Sequence, residues 1–182
     1  MKFEEKTFII PELKGISRKT IEEHLKLYAG YVKNANELLE KDEYDRRFPF
    51  EFNGMRNHEV YFSHLENAPS TPSVESELYK AIETEWGSFD TWLTKFKELA
   101  LTRGVGWAIL YYDPQTKRLL NAWIDEQHLG QLSNCTPILG LDMWEHSYVA
   151  DYQPSGKKQY IEDFFENLNW KNVESNFANL VD

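Results

Sequence analysis

The chain has 182 residues, 41% of them hydrophobic and 15% aromatic, and its 20 basic against 30 acidic side chains leave a formal charge of −10. That length suits one domain, or two small layers sharing a core, and no apolar run approaches the roughly 20 residues of a membrane span. The acidity argues against nucleic acid as the main partner, because phosphate binding relies on clusters of Lys and Arg that this sequence lacks.

Residues 1–11 read as an extended arm, without the apolar middle of a signal peptide, so a cytoplasmic protein is expected. From Ser17, which can cap, apolar residues recur at Ile21, Leu25, Tyr28, Val32 and Ala35, a spacing that predicts a long first helix over 17–41. His24 and Tyr31 stand seven residues apart in it, two helical turns, and therefore share a face. Residues 42–50 are charged and end in Phe48-Pro49-Phe50; proline disfavours helix at Phe48, so a connection or a broken helix is expected there. The stripe Met55, His58, Tyr61, Phe62 and Leu65 marks a second helix over 51–65, which forms an antiparallel hairpin with the first. His58 lies on its apolar face and looks towards the partner helix, whereas His64 lies off that face and is expected to meet water.

Two prolines among small polar residues at 67–73 mark a boundary, giving an N-terminal helical hairpin over 1–68 and a C-terminal α/β unit over 74–182. Helices over 74–85 and 88–102 follow, separated by Gly87, the second carrying the stripe Phe89, Trp92, Phe96 and Leu99. The period then changes. Residues 105–112 and 118–124 read as strands around a turn at 113–116, and 137–141 reads as a third. Cys135, the single cysteine, cannot form an internal disulfide and excludes a Cys-rich zinc site. Helices over about 159–168 and 170–177 complete an α+β chain, with a helical hairpin ahead of a three-stranded antiparallel sheet flanked by helices.

The third strand runs directly into Asp142-Met143-Trp144-Glu145-His146. A carboxylate and an imidazole beside an apolar run must be paired, hydrogen-bonded or metal-bound, because burying them bare costs several kcal/mol. With His24 and His58 from the hairpin, Asp142 and His146 make a set suited to a first-row transition metal, pinned between the two layers with a position left open. The same spacing also fits a hydrogen bond at a helix start, and the residues alone leave both readings standing.

Asp142 to Tyr148 has the pattern D-x-W-E-H-x-Y and resembles the signature of the iron/manganese superoxide dismutases. Similar segments are Thr20 to His24, Asn57-His58 with Tyr61-Phe62, Gly104 to Trp107, Asp151-Tyr152, Tyr160-Ile161 and Asn169-Trp170, spread over nearly the whole chain. The resemblance implies one Fe or Mn ion per subunit, held by His24, His58, Asp142 and His146 with solvent as a fifth ligand, and conversion of superoxide to oxygen and hydrogen peroxide. Tyr31 would be the gateway tyrosine. Phe62, Trp107 and Trp144 would wall the site, with Tyr148 close to the last ligand. Glu145 would reach across a two-fold axis to a ligand histidine of a second subunit, implying a homodimer.

Several departures from the family pattern bear on the site. The ligand histidine and gateway tyrosine are commonly eight apart, which needs a π-bulge to keep one face; seven fits a regular helix, so both side chains stay in place if the bulge is lost. The other register would put Glu23 at the ligand position. Leu27-Tyr28 and Val149 replace polar groups of the family by apolar ones. The glutamine that holds the bound solvent cannot come from the second helix, where position 54 is glycine, so the loop Asp125-Glu126-Gln127-His128 must supply its equivalent. A subset of the family has histidine in this loop, and His128 is preferred to Gln127. The ligands do not distinguish Fe from Mn. Two further readings are a non-haem iron oxygenase, which needs only three protein ligands, and a metal-binding relative without turnover.

Overall fold

The computed structural model describes residues 2–181, so Met1 and Asp182, the outer ends of the two expected units, lie outside the described residues. Ahead of the first helix the arm has no regular structure, yet Phe3, Phe8 and Ile10 pack on the core. Lys6 donates its main-chain N–H to Tyr28 Oη at 2.9 Å. Helix α1 (Arg18–Glu40) starts where Ser17 caps it, its hydroxyl accepting from the Thr20 N–H. Its buried side chains are Thr20, Ile21, His24, Tyr28, Tyr31, Val32, Ala35 and Leu38, one face of a regular helix.

Helix α2 (Arg47–Leu65) begins earlier than the sequence predicts and includes Phe48 and Pro49. Proline falls in the first turn, where an N–H has no intrahelical acceptor in any case, so its missing donor costs nothing. The second correction concerns His64. It is wholly buried instead of facing water, because the C-terminal helix α7 (Trp170–Val181) and strand β3 (Thr136–Asp142) cover that side of α2. Its carbonyl accepts from the Asn169 N–H at 2.8 Å, and its Nε2 lies 3.4 Å from Asn176 Nδ2.

The segment 67–73 is tied down at Ser70, whose N–H donates to Leu168 O at 3.0 Å and whose hydroxyl donates to Asn169 Oδ1 at 2.9 Å. Helices α3 (Glu77–Trp86) and α4 (Phe89–Ala100) follow, the first starting three residues later than expected because Ser76 is its cap. Strands β1 (Gly106–Asp113) and β2 (Arg118–Asp125) form the expected hairpin, and β3 joins on the other side, giving the antiparallel order β2-β1-β3. Central β1 is buried from Gly106 to Tyr112, with α4 against β1 and β2, α3 against β2, and α2 and α7 against β3. The register sets Trp107 opposite both Ile124 and Asp142.

After Asp142 the chain makes a 3₁₀ turn at Glu145–Ser147, a short helix α5 (Val149–Tyr152), a second 3₁₀ turn at Pro154–Gly156, and then α6 (Lys157–Asn167). These short pieces carry no hydrophobic period and were not legible as elements. The architecture is α+β, as the sequence implies.

Candidate metal centre

Helix α1 presents His24, α2 presents His58, the end of β3 presents Asp142 and the first 3₁₀ turn presents His146. One nitrogen or oxygen from each lies within 4.8 Å of the others. Asp142 Oδ2 is the common point: the Nε2 atoms of His24, His146 and His58 stand 3.1, 3.0 and 3.6 Å from it. Three of the four side chains are buried and His146 is half-buried.

Local chemistry explains the convergence. Because α1 is regular, seven residues return the chain to the same face, so His24 and Tyr31 both turn inward, while Glu23 faces solvent and pairs with Lys26 at 2.7 Å. Asp142 uses its other oxygen, Oδ1, to accept from the Trp144 N–H at 2.8 Å. That bond closes the turn which swings His146 back over Oδ2.

A cation fits the unsatisfied atoms. His58 Nδ1 lies 2.6 Å from the Gly54 carbonyl, an acceptor, so Nδ1 carries the proton and Nε2 carries a lone pair. That buried Nε2 has no hydrogen-bond partner and looks at a carboxylate oxygen 3.6 Å away. Two acceptors facing each other in a dry interior repel, and a positive ion between them reverses the sign of the interaction. Burial, reinforced by the charge of His24, pushes His58 down to about 3 and so keeps it neutral. Burial lowers His24 as well. Burial alone would raise Asp142, but His146 and His24 outweigh it and hold the carboxyl well below the usual range. Imidazole nitrogens with one carboxylate oxygen are donors suited to first-row transition ions.

Aromatic rings enclose the cluster. Phe62 meets His24 edge-on at 4.9 Å, Trp107 meets His58 edge-on at 5.1 Å, and Trp144 stacks on His146 at 5.8 Å. Tyr31 lies 5.0 Å from His58 and rests on Gly54, where a Cβ would stand 2.6 Å from its ring. Only glycine permits that approach, which is the physical reason a glutamine cannot project from this point of α2.

The structure places Gln127, not His128, beside the cluster, which corrects the preference drawn from the sequence. Gln127 is wholly buried; its Oε1 accepts from Trp107 Nε1 at 2.8 Å and its Nε2 donates to Tyr31 Oη at 2.9 Å. His128 instead lines a surface recess with Asp45, Arg46, Arg47, Phe50 and Glu126. The backbone decides this. Glu126 is left-handed at φ 52°, Trp144 Nε1 holds its carbonyl at 3.1 Å, and Asn57 Nδ2 holds the Gln127 carbonyl at 2.9 Å.

Glu145 is exposed beside His146, and Tyr148 is buried, stacked on Tyr160 at 5.4 Å. Tyr28 is buried but keeps a polar function: its hydroxyl donates to Glu59 at 3.3 Å, and burial pushes its pKa up to about 12. Two neighbours of the ligands were not singled out for the site from the sequence. Tyr61 packs 5.1 Å from His24, and Tyr160 Oη donates to the Asp142 carbonyl at 2.9 Å. Both stand in segments that resemble the family, Tyr61-Phe62 and Tyr160-Ile161, but nothing in the sequence set either beside a ligand.

Residues 74–176 match the family described as iron/manganese superoxide dismutases, C-terminal domain. The chain is 34% identical over 187 aligned positions to superoxide dismutase (Fe) of Cupriavidus metallidurans, covering 93% of this chain and 92% of that protein. It is 31% identical over 172 positions to superoxide dismutase (Mn) of Nocardia asteroides, covering 87% and 82%. A third match, 40% identical over 107 positions, is to superoxide dismutase (Mn) of Haloarcula marismortui, covering 59% and 52%.

Proposed function

Because the chain belongs to the iron/manganese superoxide dismutase family, we propose that His24, His58, Asp142 and His146 hold its Fe or Mn ion and that Gln127 and Tyr31 serve it. The protein is an oxidoreductase that converts superoxide to oxygen and hydrogen peroxide. The carrying observation is the lone pair of His58 Nε2 facing the Asp142 carboxylate, an arrangement that a cation completes. A bound iron or manganese ion supplies the one-electron couple that takes an electron from one superoxide and gives it to another.

The residues around it supply space, protons and polarity. Phe62, Trp107 and Trp144 crowd the cluster and leave room for a small anion in preference to an organic substrate, which, with four protein donors instead of three, speaks against the oxygenase reading. Trp107 donates to Gln127 and Gln127 donates to Tyr31 Oη, so the Tyr31 hydrogen is left for another acceptor. Burial, together with the charges of Asp142 and Glu51, raises the Tyr31 pKa, so the phenol stays protonated at neutral pH and can deliver one of the protons that peroxide needs. Gln127→Leu is expected to slow superoxide decay ~10–100-fold, the range for groups that orient a metal site, whereas His128→Leu leaves it within a factor of ~2. Stopped-flow decay with the Fe- and Mn-loaded proteins measures both, and a large loss in the His128 variant alone would reverse the assignment.

The ligands come in pairs from before and after the segment 67–73, which supports two units, 1–68 and 74–182, with the site between them. The exposed carboxylate of Glu145 beside His146 supports a homodimer in which Glu145 orients a ligand of the second subunit. Sedimentation should show a dimer that Glu145→Ala weakens; a wild-type monomer with full activity refutes this. A reduced, unpaired Cys135 suits the cytoplasm. Among the described residues no helix is long and apolar enough to cross a membrane.

A further inference from the structure

On one side of the ligand cluster, phenols run in a line towards the surface. Tyr61 packs against His24, and its hydroxyl lies 3.2 Å from Tyr160 Oη. Tyr160 already donates to the Asp142 carbonyl, so the hydrogen between the two phenols belongs to Tyr61. Both residues are wholly buried. Tyr160 meets Tyr152 edge-on at 5.8 Å, and Tyr152, half-buried, donates its hydroxyl to Asp163 Oδ2 at 2.9 Å. Trp107 also neighbours Tyr61 at 6.2 Å and Tyr148 stacks on Tyr160 at 5.4 Å, but of the two phenols beside Tyr160 it is Tyr152 whose hydroxyl meets a carboxylate. The outer end of the line is closely fitted. Gly15, at φ +75°, leaves space that a Cβ would take from both the Tyr152 hydroxyl and the Asp163 carboxylate. Asp163 is itself buried and held by Gln159 Nε2 at 3.1 Å. A phenol that loses an electron becomes a strong acid, and a carboxylate at hydrogen-bond distance is what its proton then requires.

Resting on the metal assignment above, we propose that Tyr61, Tyr160 and Tyr152 form a relay that carries one-electron oxidising equivalents from the ligand cluster to the surface, with Asp163 as the proton acceptor. Substrate and product together supply the oxidant: superoxide and hydrogen peroxide give oxygen, hydroxide and a hydroxyl radical. That radical takes one electron from the near end of the relay and becomes hydroxide. The electron is replaced in turn from Tyr160 and then Tyr152. The Tyr152 O–H bond breaks as its proton passes to Asp163, leaving a neutral tyrosyl radical and a neutral carboxyl, while Tyr61 and Tyr160 keep their hydrogens. The oxidation is thereby moved from the ligand imidazoles to a phenol near solvent.

The test is to treat the metal-loaded protein with superoxide and excess hydrogen peroxide, freeze it for electron paramagnetic resonance, and map oxidised residues by mass spectrometry. Wild type should give a tyrosyl radical with modification at Tyr152 and intact His24. Tyr152→Phe should lose that signal and show severalfold more oxidation of His24, and Tyr160→Phe should leave Tyr152 unmodified. Asp163→Asn should lower the radical yield at unchanged dismutation. A merely structural role for Tyr160 would alter thermal stability without moving the sites of oxidation. Modification of His24 without Tyr152 in wild type, or an unchanged pattern in Tyr152→Phe, overturns the relay. Metal content and dismutation on the same samples separate the two readings: a metal-loaded, active protein without a Tyr152 radical removes the relay alone, and a protein that holds no metal removes both.

Discussion

Asp142→Asn is expected to lose its metal and to slow superoxide decay by well over ~100-fold, the upper end of what removing a merely orienting group costs. Asp142 Oδ2 is the one atom that all three imidazoles approach, and it carries the only negative charge of the cluster. An amide has the same shape without the charge, and a metal ion has much less reason to stay. The fold should persist, because an asparagine carbonyl can still accept from the Trp144 N–H and close the turn that bears His146. Metal analysis and decay rates on the variant check the first part. Unfolding with and without chelator checks the second: the chelator should lower the stability of loaded wild type, since metal stabilises the native state through binding, and should leave the variant unchanged. A variant that keeps one ion per subunit and the wild-type rate would refute the ligand assignment.

Stability in mild acid should depend on a histidine that has nothing to do with the metal. Burial pushes His64 from its ordinary 6.5 down to about 3. Below pH 6.5 the unfolded chain takes up a proton at this position that the native protein refuses until about pH 3. The contribution of neutral His64 is therefore complete above pH 6.5 and drains away as the pH falls towards 3. The loss approaches ~1.4 kcal/mol per pH unit, or ~2 kcal/mol between pH 7 and pH 5. His64→Gln cannot titrate and still offers a polar end towards Asn176. Urea unfolding of loaded wild type and variant at both pH values should show the difference between pH 7 and pH 5 shrinking by about that ~2 kcal/mol. Equal pH slopes would show that His64 is not the group responsible. His58 and His24 shift in the same direction, so the measurement belongs on metal-loaded protein, where an ion bound to both would hold them neutral.

Much of the site was legible because helix and strand periods are local. Seven residues on a regular helix suffice to align His24 with Tyr31 and to send Glu23 outward. The stripe containing His58 identified the face of α2 that meets α1, and the apolar run ahead of Asp142 identified β3, which carries that carboxylate at its end. These relations extend over a few residues, so the order of residue types is enough to determine them.

The misjudged positions depend on contacts that no local pattern encodes. His64 reads as polar and off the apolar stripe, but Asn176, 112 residues later, and the strand beside it close over that side of α2. Gln127 and His128 are adjacent, and their order says nothing about which turns inward. That is decided by a left-handed Glu126, whose carbonyl is held by Trp144, and by Asn57 on α2. The line from Tyr61 to Tyr152 exists only because α6 sets Tyr160 against Tyr61 of α2 and Asp163 against Tyr152 of α5. By itself, then, the sequence set the helix faces that carry His24 and His58 and, through its resemblance, pointed to an iron or manganese site. The tertiary structure decided which loop residue bonds to Trp107 and Tyr31, which histidine is buried under α7 and which phenols lie in line beside Asp142, because burial and loop dihedrals are set by segments far apart along the chain.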